Sequence, residues 1–488
     1  MTTRARTLDL GLDARLHALA RQAQRQADSS GRPVVATLVE PSPVQDPIAR
    51  FVRAPVELTR ALWWGADSLA LVGLGEALAL GPAPCAGGVY QGHGLDVSPA
   101  EIAREWRRLA AGALVDAPSD SPALAGPLLL GGFAFDPLRL TEPAWRSFPA
   151  ARLVLPRLLL LGEGDRWWLA STLVAWPGRD PAGELEELRR LRALLLQPAP
   201  SGCMPATNGR ALPVEVVRRE LCGPERWRAM VERAITAIRR GELAKVVLAR
   251  AVEVSGPEPV SVERVLRWLA AGYPGCTLFA FSYGDAVFLG ATPERLVRLH
   301  ARRIETMALA GSIRRGTTPE EDAALAGALL ASEKDRQEHA VVVDELRAAL
   351  APACRALEIP REPSLLSMRN VHHLATPVRG ELAGDSTVLD LVERLHPTPA
   401  VGGVPRAAAL AFIRSHEPVD RGWYAGPVGW VDRSGEGEFA VALRSGLIRG
   451  RTARLYAGCG ILADSDPEAE YAESELKLQP LLRALEGA

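Results

Sequence analysis

The chain has 488 residues, 48% of them hydrophobic, and its 57 basic and 58 acidic side chains leave a formal net charge of −1. That length exceeds the usual size of one core, and the balanced charge, with no Lys/Arg block, excludes the electrostatic footprint of a nucleic-acid-binding protein. No apolar run is long enough to span a bilayer; residues 153–161 are too few and include Pro156 and Arg157.

Residues 1–15 carry charge without the apolar segment of a signal peptide. The cysteines (Cys85, Cys203, Cys222, Cys276, Cys354 and Cys459) contain no CxxC pair. That usage fits a reducing cytoplasm and argues against a structural zinc site. Over residues 1–200, short apolar runs alternate with turn residues. The runs 34–39, 68–74, 128–135, 152–161 and 167–174 read as strands, and 101–114 and 184–196 as helices. Gly131-Gly132 inside a strand predicts a bulge or tight bend, and His93, beside glycines, reads as a surface residue. This half offers almost no chemistry and reads as scaffold. Residues 201–215, rich in Pro, Gly and Asn, read as a loop or linker, so 216–488 is left as the region that carries the chemistry.

In that region 225–240 is an amphipathic helix ended by Gly241, and 245–254 a strand. Residues 276–283 and 287–290 form a hairpin around Gly284-Asp285, and 303–312 is another strand. Thr318-Pro319-Glu320-Glu321 predicts a capping box, followed by a long helix over 333–357. Residues 426–431, 438–448 and 452–461 read as an antiparallel meander. Asp466-Pro467 opens a last helix, with Asp466 as its N-cap.

Several residues in this region could carry chemistry, each with a plainer reading beside it. Alternation puts Lys245 on the face of Val247 and Ala249; a lysine drawn into an apolar face loses hydration and its amine becomes reachable as a base. It also fits, and from position fits better, a strand-end lysine whose stem packs while its head reaches water. Glu294, after Ala291-Thr292-Pro293, is either a general acid at a strand end or the first turn of a short helix. Glu338 shares a helical stripe with Val341, Val342, Glu345 and Leu346, so it needs a metal, a donor or a salt bridge. Arg444 alternates with Ala440, Ala442 and Gly446 on a strand and suits either capture of a carboxylate or pairing with a glutamate. Gly458 and Gly460, behind Tyr456, and Gly311 leave room above their strands. Glu470, Glu473 and Lys477 fall on one helical face, either a solvated face or a place for a hard cation beside an anion. His372-His373 is a pair of the kind that is more often structural than ligating.

The ordered segments 241–250 (GELAKVVLAR), 291–296 (ATPERL), 308–316 (ALAGSIRRG), 333–346 (EKDRQEHAVVVDEL), 372–377 (HHLATP), 395–405 (LHPTPAVGGVP), 420–430 (DRGWYAGPVGW) and 456–478 together resemble the chorismate-utilising enzymes. These are isochorismate synthase, salicylate synthase and the first components of anthranilate and aminodeoxychorismate synthase. The N-terminal half resembles them loosely, at residues 130–135. The resemblance implies an α+β fold of large antiparallel sheets with helices packed outside. Amine-adding members usually carry glutamine at the position of Lys245, and the aminodeoxychorismate type places a lysine where this chain has Ala310. The chain is therefore similar to the water-adding members, which implies a Mg²⁺-dependent isomerase that turns chorismate into isochorismate, for menaquinone or for siderophores. By resemblance Lys245 activates water, Glu294 protonates the departing hydroxyl, and Glu338 and Glu473 bind Mg²⁺ with Glu470 acting through water. Arg444, Lys477, Gly458, Gly311 and Tyr456 then serve the substrate, His373 lies near its ring, and Ala400 and Val401 shape the pocket; relatives more often have leucine in place of Val401. A monomer without a glutaminase subunit is implied, away from nucleic acid and membranes. The rivals are a salicylate synthase that goes on to eliminate pyruvate, an aminating synthase, and an inactive anion-binding relative.

Overall fold

The computed structural model describes residues 3–82, 98–140, 142–196, 216–367 and 371–486. The expected linker 201–215, His93, Cys85 and Cys203 lie outside them. Among the described residues two large sheets form the protein. The larger, 13-stranded, runs Val217–Glu220, Lys245–Ser255, Thr452–Ile461, Ser445–Arg449, Ala286–Thr292, Thr277–Tyr283, Arg60–Trp64, Leu69–Leu74, Leu158–Glu163, Arg166–Ala175, Val34–Ser42 and Leu114–Asp116, with Gly403–Val404 added beside Lys245–Ser255. The 10-stranded sheet runs Cys354–Glu358, Val371–Leu382, Arg303–Arg314, Arg295–His300, Gly437–Val441, Pro427–Asp432, Leu128–Phe133, Ala151–Leu155 and Leu78–Leu80, with Ser364–Ser367 beside Val371–Leu382. Strand pairing is antiparallel except between Val34–Ser42 and Leu114–Asp116. Both halves of the chain enter both sheets: Arg60–Trp64 pairs with Thr277–Tyr283, and Leu128–Phe133 with Pro427–Asp432. The N-terminal scaffold is thus hydrogen-bonded directly into the sheets that carry the chemistry.

The alternation of each strand explains the layering. One face of the large sheet packs with the small sheet around Trp145, Phe148, Phe279, Phe281, Phe288 and Trp423, all buried. Phe148 meets Trp423 at 5.1 Å in an edge-to-face contact, the arrangement favoured by ring quadrupoles. Fully burying such an apolar side chain contributes on the order of 2 kcal/mol. The opposite face of the large sheet is covered by Thr3–Ser30, Ala182–Leu196, Val262–Gly272 and Pro467–Glu486, whose buried Leu16, Leu188, Leu266 and Leu481 share one cluster with it.

Several expectations are corrected. Residues 152–161 are two strands, because Pro156 breaks the run where the chain passes from one sheet to the other. The strand expected over 438–448 is likewise two, Gly437–Val441 in the small sheet and Ser445–Arg449 in the large one. The helix expected to reach 357 is Glu333–Leu350 and stops at a 3₁₀ turn containing Pro352. Val341 is 39% exposed and Glu345 exposed, so the buried stripe of that helix is instead His339, Val342, Val343, Leu346 and Leu350. The Thr318 cap forms, but Glu321 turns to Thr317 and Arg314, so the box does not close. Thr3–Ser30 is a helix that the sequence reading left out. Gly131 marks a close approach: a Cβ there would stand 1.9 Å from the Arg152 carbonyl oxygen.

Candidate active site

Two strands cross from sheet to sheet side by side. Ala286–Thr292 continues through Pro293 and Glu294 into Arg295–His300, and Gly437–Val441 continues through Arg444 into Ser445–Arg449. The two segments pair before and after the crossing. At the crossing itself Val441 N donates to Glu294 O at 2.9 Å, and Thr292 Oγ1 donates to Val441 O at 2.6 Å. Arg444 takes a left-handed backbone there, φ 49°, so it is not on a strand face as expected. A cavity of about 280 Å³ opens beside this crossing.

The thirteen residues given a role by the resemblance all line that cavity: Lys245, Glu294, Gly311, Glu338, His373, Ala400, Val401, Arg444, Tyr456, Gly458, Glu470, Glu473 and Lys477. Lys245 is 6% exposed and lies with Val247 and Ala249 on the cavity wall, as alternation predicts. It also meets a carboxylate that alternation does not reveal, donating from Nζ to Glu338 Oε1 at 2.5 Å. Its stem crosses Gly460 on the neighbouring strand; a Cβ at Gly460 would lie 2.9 Å from Lys245 Cε. Glycine there is what lets the amine reach the cavity.

Glu294 has lost hydration in the cavity, which pushes its carboxyl up to about 7 against the pull of Lys245 and Lys477. It can hold a proton at neutral pH. Arg444 is desolvated, which lowers its pKa, and no carboxylate pairs with it among the described residues. An unpaired guanidinium on a cavity wall is a seat for an anion. Burial pushes His373 down to about 4, helped by Arg444 and Lys477, so its ring is neutral; Nδ1 lies 2.6 Å from Ser312 Oγ. Its neighbour His372 is buried against Ser367 and Asp322, so the pair divides into one structural and one cavity-facing ring. Gly311, φ 76°, sits at a register shift between Arg303–Arg314 and Val371–Leu382.

The last helix supplies the opposite wall. Asp466 caps it, accepting from Ala469 N at 2.9 Å. Glu470, Glu473 and Lys477 all line the cavity, although the Glu473 side chain stays 47% exposed. Lys477 Nζ donates to Gly458 O at 2.8 Å and pairs with Glu473 Oε1 at 2.6 Å. Burial opposes its charge, but Cys459 and Glu473 outweigh that and raise its pKa. Glu473 is lowered, its desolvation outweighed by Lys477 and Arg444. Glu470 is raised by desolvation and by the nearby Glu473 and Glu338. Ligand atoms of Glu470, Glu473 and Cys459 lie within 4.8 Å of one another. Burial holds the Cys459 thiol protonated, its pKa pushed up to about 12, so the usable donors are carboxylate oxygens. A crowded set of oxygens, in which desolvation and the charges of Glu473 and Glu338 raise Glu470, fits a hard divalent cation such as Mg²⁺.

Tyr456 lines the cavity with its ring, while its hydroxyl lies 3.0 Å from Trp145 Nε1 and donates to Asp420 O at 3.3 Å. Tyr424, stacked on it at 5.1 Å, is the tyrosine that the sequence reading missed. Its hydroxyl would stand 3.2 Å from a Cβ at Gly458. Asp335 was also missed. It lines the cavity one helical turn before Glu338, and that i, i+3 spacing was a usable signal.

Comparison with known proteins identifies the family. The family model described as "Chorismate binding enzyme" matches residues 21–486. The chain is 42% identical over 481 residues to the salicylate biosynthesis isochorismate synthase of Pseudomonas aeruginosa, covering 96% of this chain and 94% of that one. It is 38% identical over 362 residues to the isochorismate synthase MenF of Bacillus subtilis, covering 74% of this chain and 75% of that protein. Among solved structures, the menaquinone-specific isochorismate synthase MenF of Escherichia coli superposes with a TM-score of 0.76 at 26% identity, over 96% of this chain and 99% of the other. The chain belongs to the chorismate-binding enzyme family.

Proposed function

We propose that the protein is an isochorismate synthase, an isomerase that adds water at C2 of chorismate and releases the C4 hydroxyl. The observation that carries this reading is Glu294: a carboxyl pushed up to about 7 faces the same cavity as the buried amine of Lys245. One group can deliver a proton while the other takes one. In this reading Lys245 accepts a proton from water as its oxygen bonds to C2. The ring double bond shifts, the C4–O bond breaks, and Glu294 gives its proton to the departing hydroxyl. One water enters and one leaves, so the change is an isomerisation. Arg444 and Lys477 compensate the two carboxylates of the substrate, and neutral His373 lies against the ring without adding charge.

Glu473 and Glu338 would hold Mg²⁺ directly and Glu470 through water. When bound, the ion supplies positive charge to a substrate carboxylate and fixes its orientation. Lysine in place of an amide at 245 and Ala310 in place of a lysine support water, not ammonia, as the nucleophile. The name of the Pseudomonas aeruginosa relative supports isochorismate as the product rather than its onward conversion in the same site. We further place the enzyme in the cytoplasm as a monomer without a glutaminase subunit. The four described cysteines are free, which supports a reducing compartment. Turnover in ¹⁸O-water tests the chemistry: the product gains one labelled oxygen at C2, and product without label contradicts it.

A further inference from the structure

The strand Lys245–Ser255 is paired along one edge with Thr452–Ile461 from Val246 onward. Its other edge is interrupted. Gly403–Val404 covers Lys245 and Val246, Val217–Glu220 covers Val252 to Ser255, and among the described residues no strand lies in register between them. In that gap Val247 N donates to Gly402 O at 2.9 Å, and two side chains take over the pairing. Glu417 Oε1 accepts from Ala249 N at 2.7 Å, and Arg421 Nη2 donates to Val247 O at 2.7 Å. The two side chains hold each other, Arg421 Nε to Glu417 Oε2 at 2.9 Å and Nη2 to Oε1 at 2.5 Å, and are 3% and 0% exposed. Arg421 Nη1 also donates to Val401 O at 2.9 Å, and its guanidinium lies 4.1 Å from the Phe135 ring centre.

A buried ion pair is a costly way to fill space, and apolar side chains of similar volume are often as stable. This pair supplies what apolar side chains cannot: partners for backbone groups at Val247, Ala249 and Val401. We propose that Glu417 and Arg421 are positioning residues that stand in for a missing stretch of strand and lock the Lys245 strand to the Ala400–Val401 loop, setting where the nucleophile meets the ring. The proposal rests on the reading of Lys245 as the base.

The test compares Glu417→Gln, Arg421→Lys and the double variant Glu417→Leu/Arg421→Met, because a single change leaves a buried charge alone and can block folding. The double variant is expected to fold with a lowered melting temperature, because backbone groups at Val247, Ala249 and Val401 lose their partners, and to bind chorismate within about threefold of wild type. Its kcat should fall about 30-fold, since displacements on the order of 1 Å can cost about 100-fold in rate. Amide exchange at Val247 and Ala249 should accelerate. Arg421→Lys, which keeps the charge but not all three donor directions, should recover part of the rate. A folded double variant with wild-type kcat, or with unchanged exchange at Val247 and Ala249, overturns the proposal. An unaltered enzyme that makes no isochorismate sinks the functional reading instead, and the exchange comparison still decides whether the pair braces the strand.

Discussion

The cavity has a sheet wall and a helix wall, and they hold their functional groups in different ways. On the sheet wall Lys245 and Glu294 are carried by backbone that is paired to a neighbouring segment, Lys245 to Val404 and Glu294 to Val441. Room for their side chains comes from glycine, as at Gly460. On the helix wall Glu338, Glu470, Glu473 and Lys477 project from Glu333–Leu350 and Pro467–Glu486, and their places are set by charge. The last helix is anchored from its far side by Arg250, which is fully buried on Lys245–Ser255, donates to Ser474 Oγ at 2.6 Å and pairs with Glu475. The difference assigns the tasks. Proton transfer needs groups fixed within tenths of an ångström, and the sheet supplies that. Holding an ion and an anionic substrate needs charge, and the helices supply it.

The comparison can be broken group by group. Lys245→Ala should lower turnover by about 10³-fold or more while chorismate binding stays within about threefold, because a proton acceptor acts in the transition state rather than in binding. Calorimetry beside steady-state kinetics checks this, and near-normal turnover would remove Lys245 as the base. Glu294→Gln should cost about 10²- to 10³-fold in kcat. In the unaltered enzyme the acid must be protonated, so kcat should fall as pH rises through about 7, following the Glu294 carboxyl; a profile that stays flat from pH 7 to 9 would speak against it. On the helix wall Glu473→Gln should raise the Mg²⁺ needed for half-maximal rate by about 10- to 100-fold, with little change in kcat at saturating metal. An unchanged metal titration would take Glu473 out of the site. The smallest effect is expected for Gly460→Ala. The new methyl displaces only the flexible end of Lys245, so kcat should fall several-fold with the Mg²⁺ titration unmoved, which would separate the two walls within a single variant.

The walls also differ in how much of them could be read beforehand. That Glu470, Glu473 and Lys477 share one face follows from helical spacing, and that Lys245 shares one with Val247 and Ala249 from strand alternation, because both periods are local; their roles rest on the family resemblance. What joins them is not local. The Lys245–Glu338 contact spans 93 residues, and the entry of the N-terminal strands into both sheets has no signature in either segment. Arg444 was placed on the right wall by the wrong geometry. Alternation was carried through residues 442–444, where neither proline nor glycine marks a break, and the left-handed turn that aims Arg444 is imposed by the crossing beside Glu294. Pro352, by contrast, was a legible stop for the long helix. Tyr424 and Asp335 lay inside segments already singled out and were passed over because each has a plainer role on its own element.

The most direct test of the whole account is to incubate the purified enzyme with chorismate and Mg²⁺, without ammonia, and separate the products. The account predicts isochorismate as the sole product, formed only with the metal present. Salicylate with pyruvate, or turnover that begins only when ammonia is added, would contradict it.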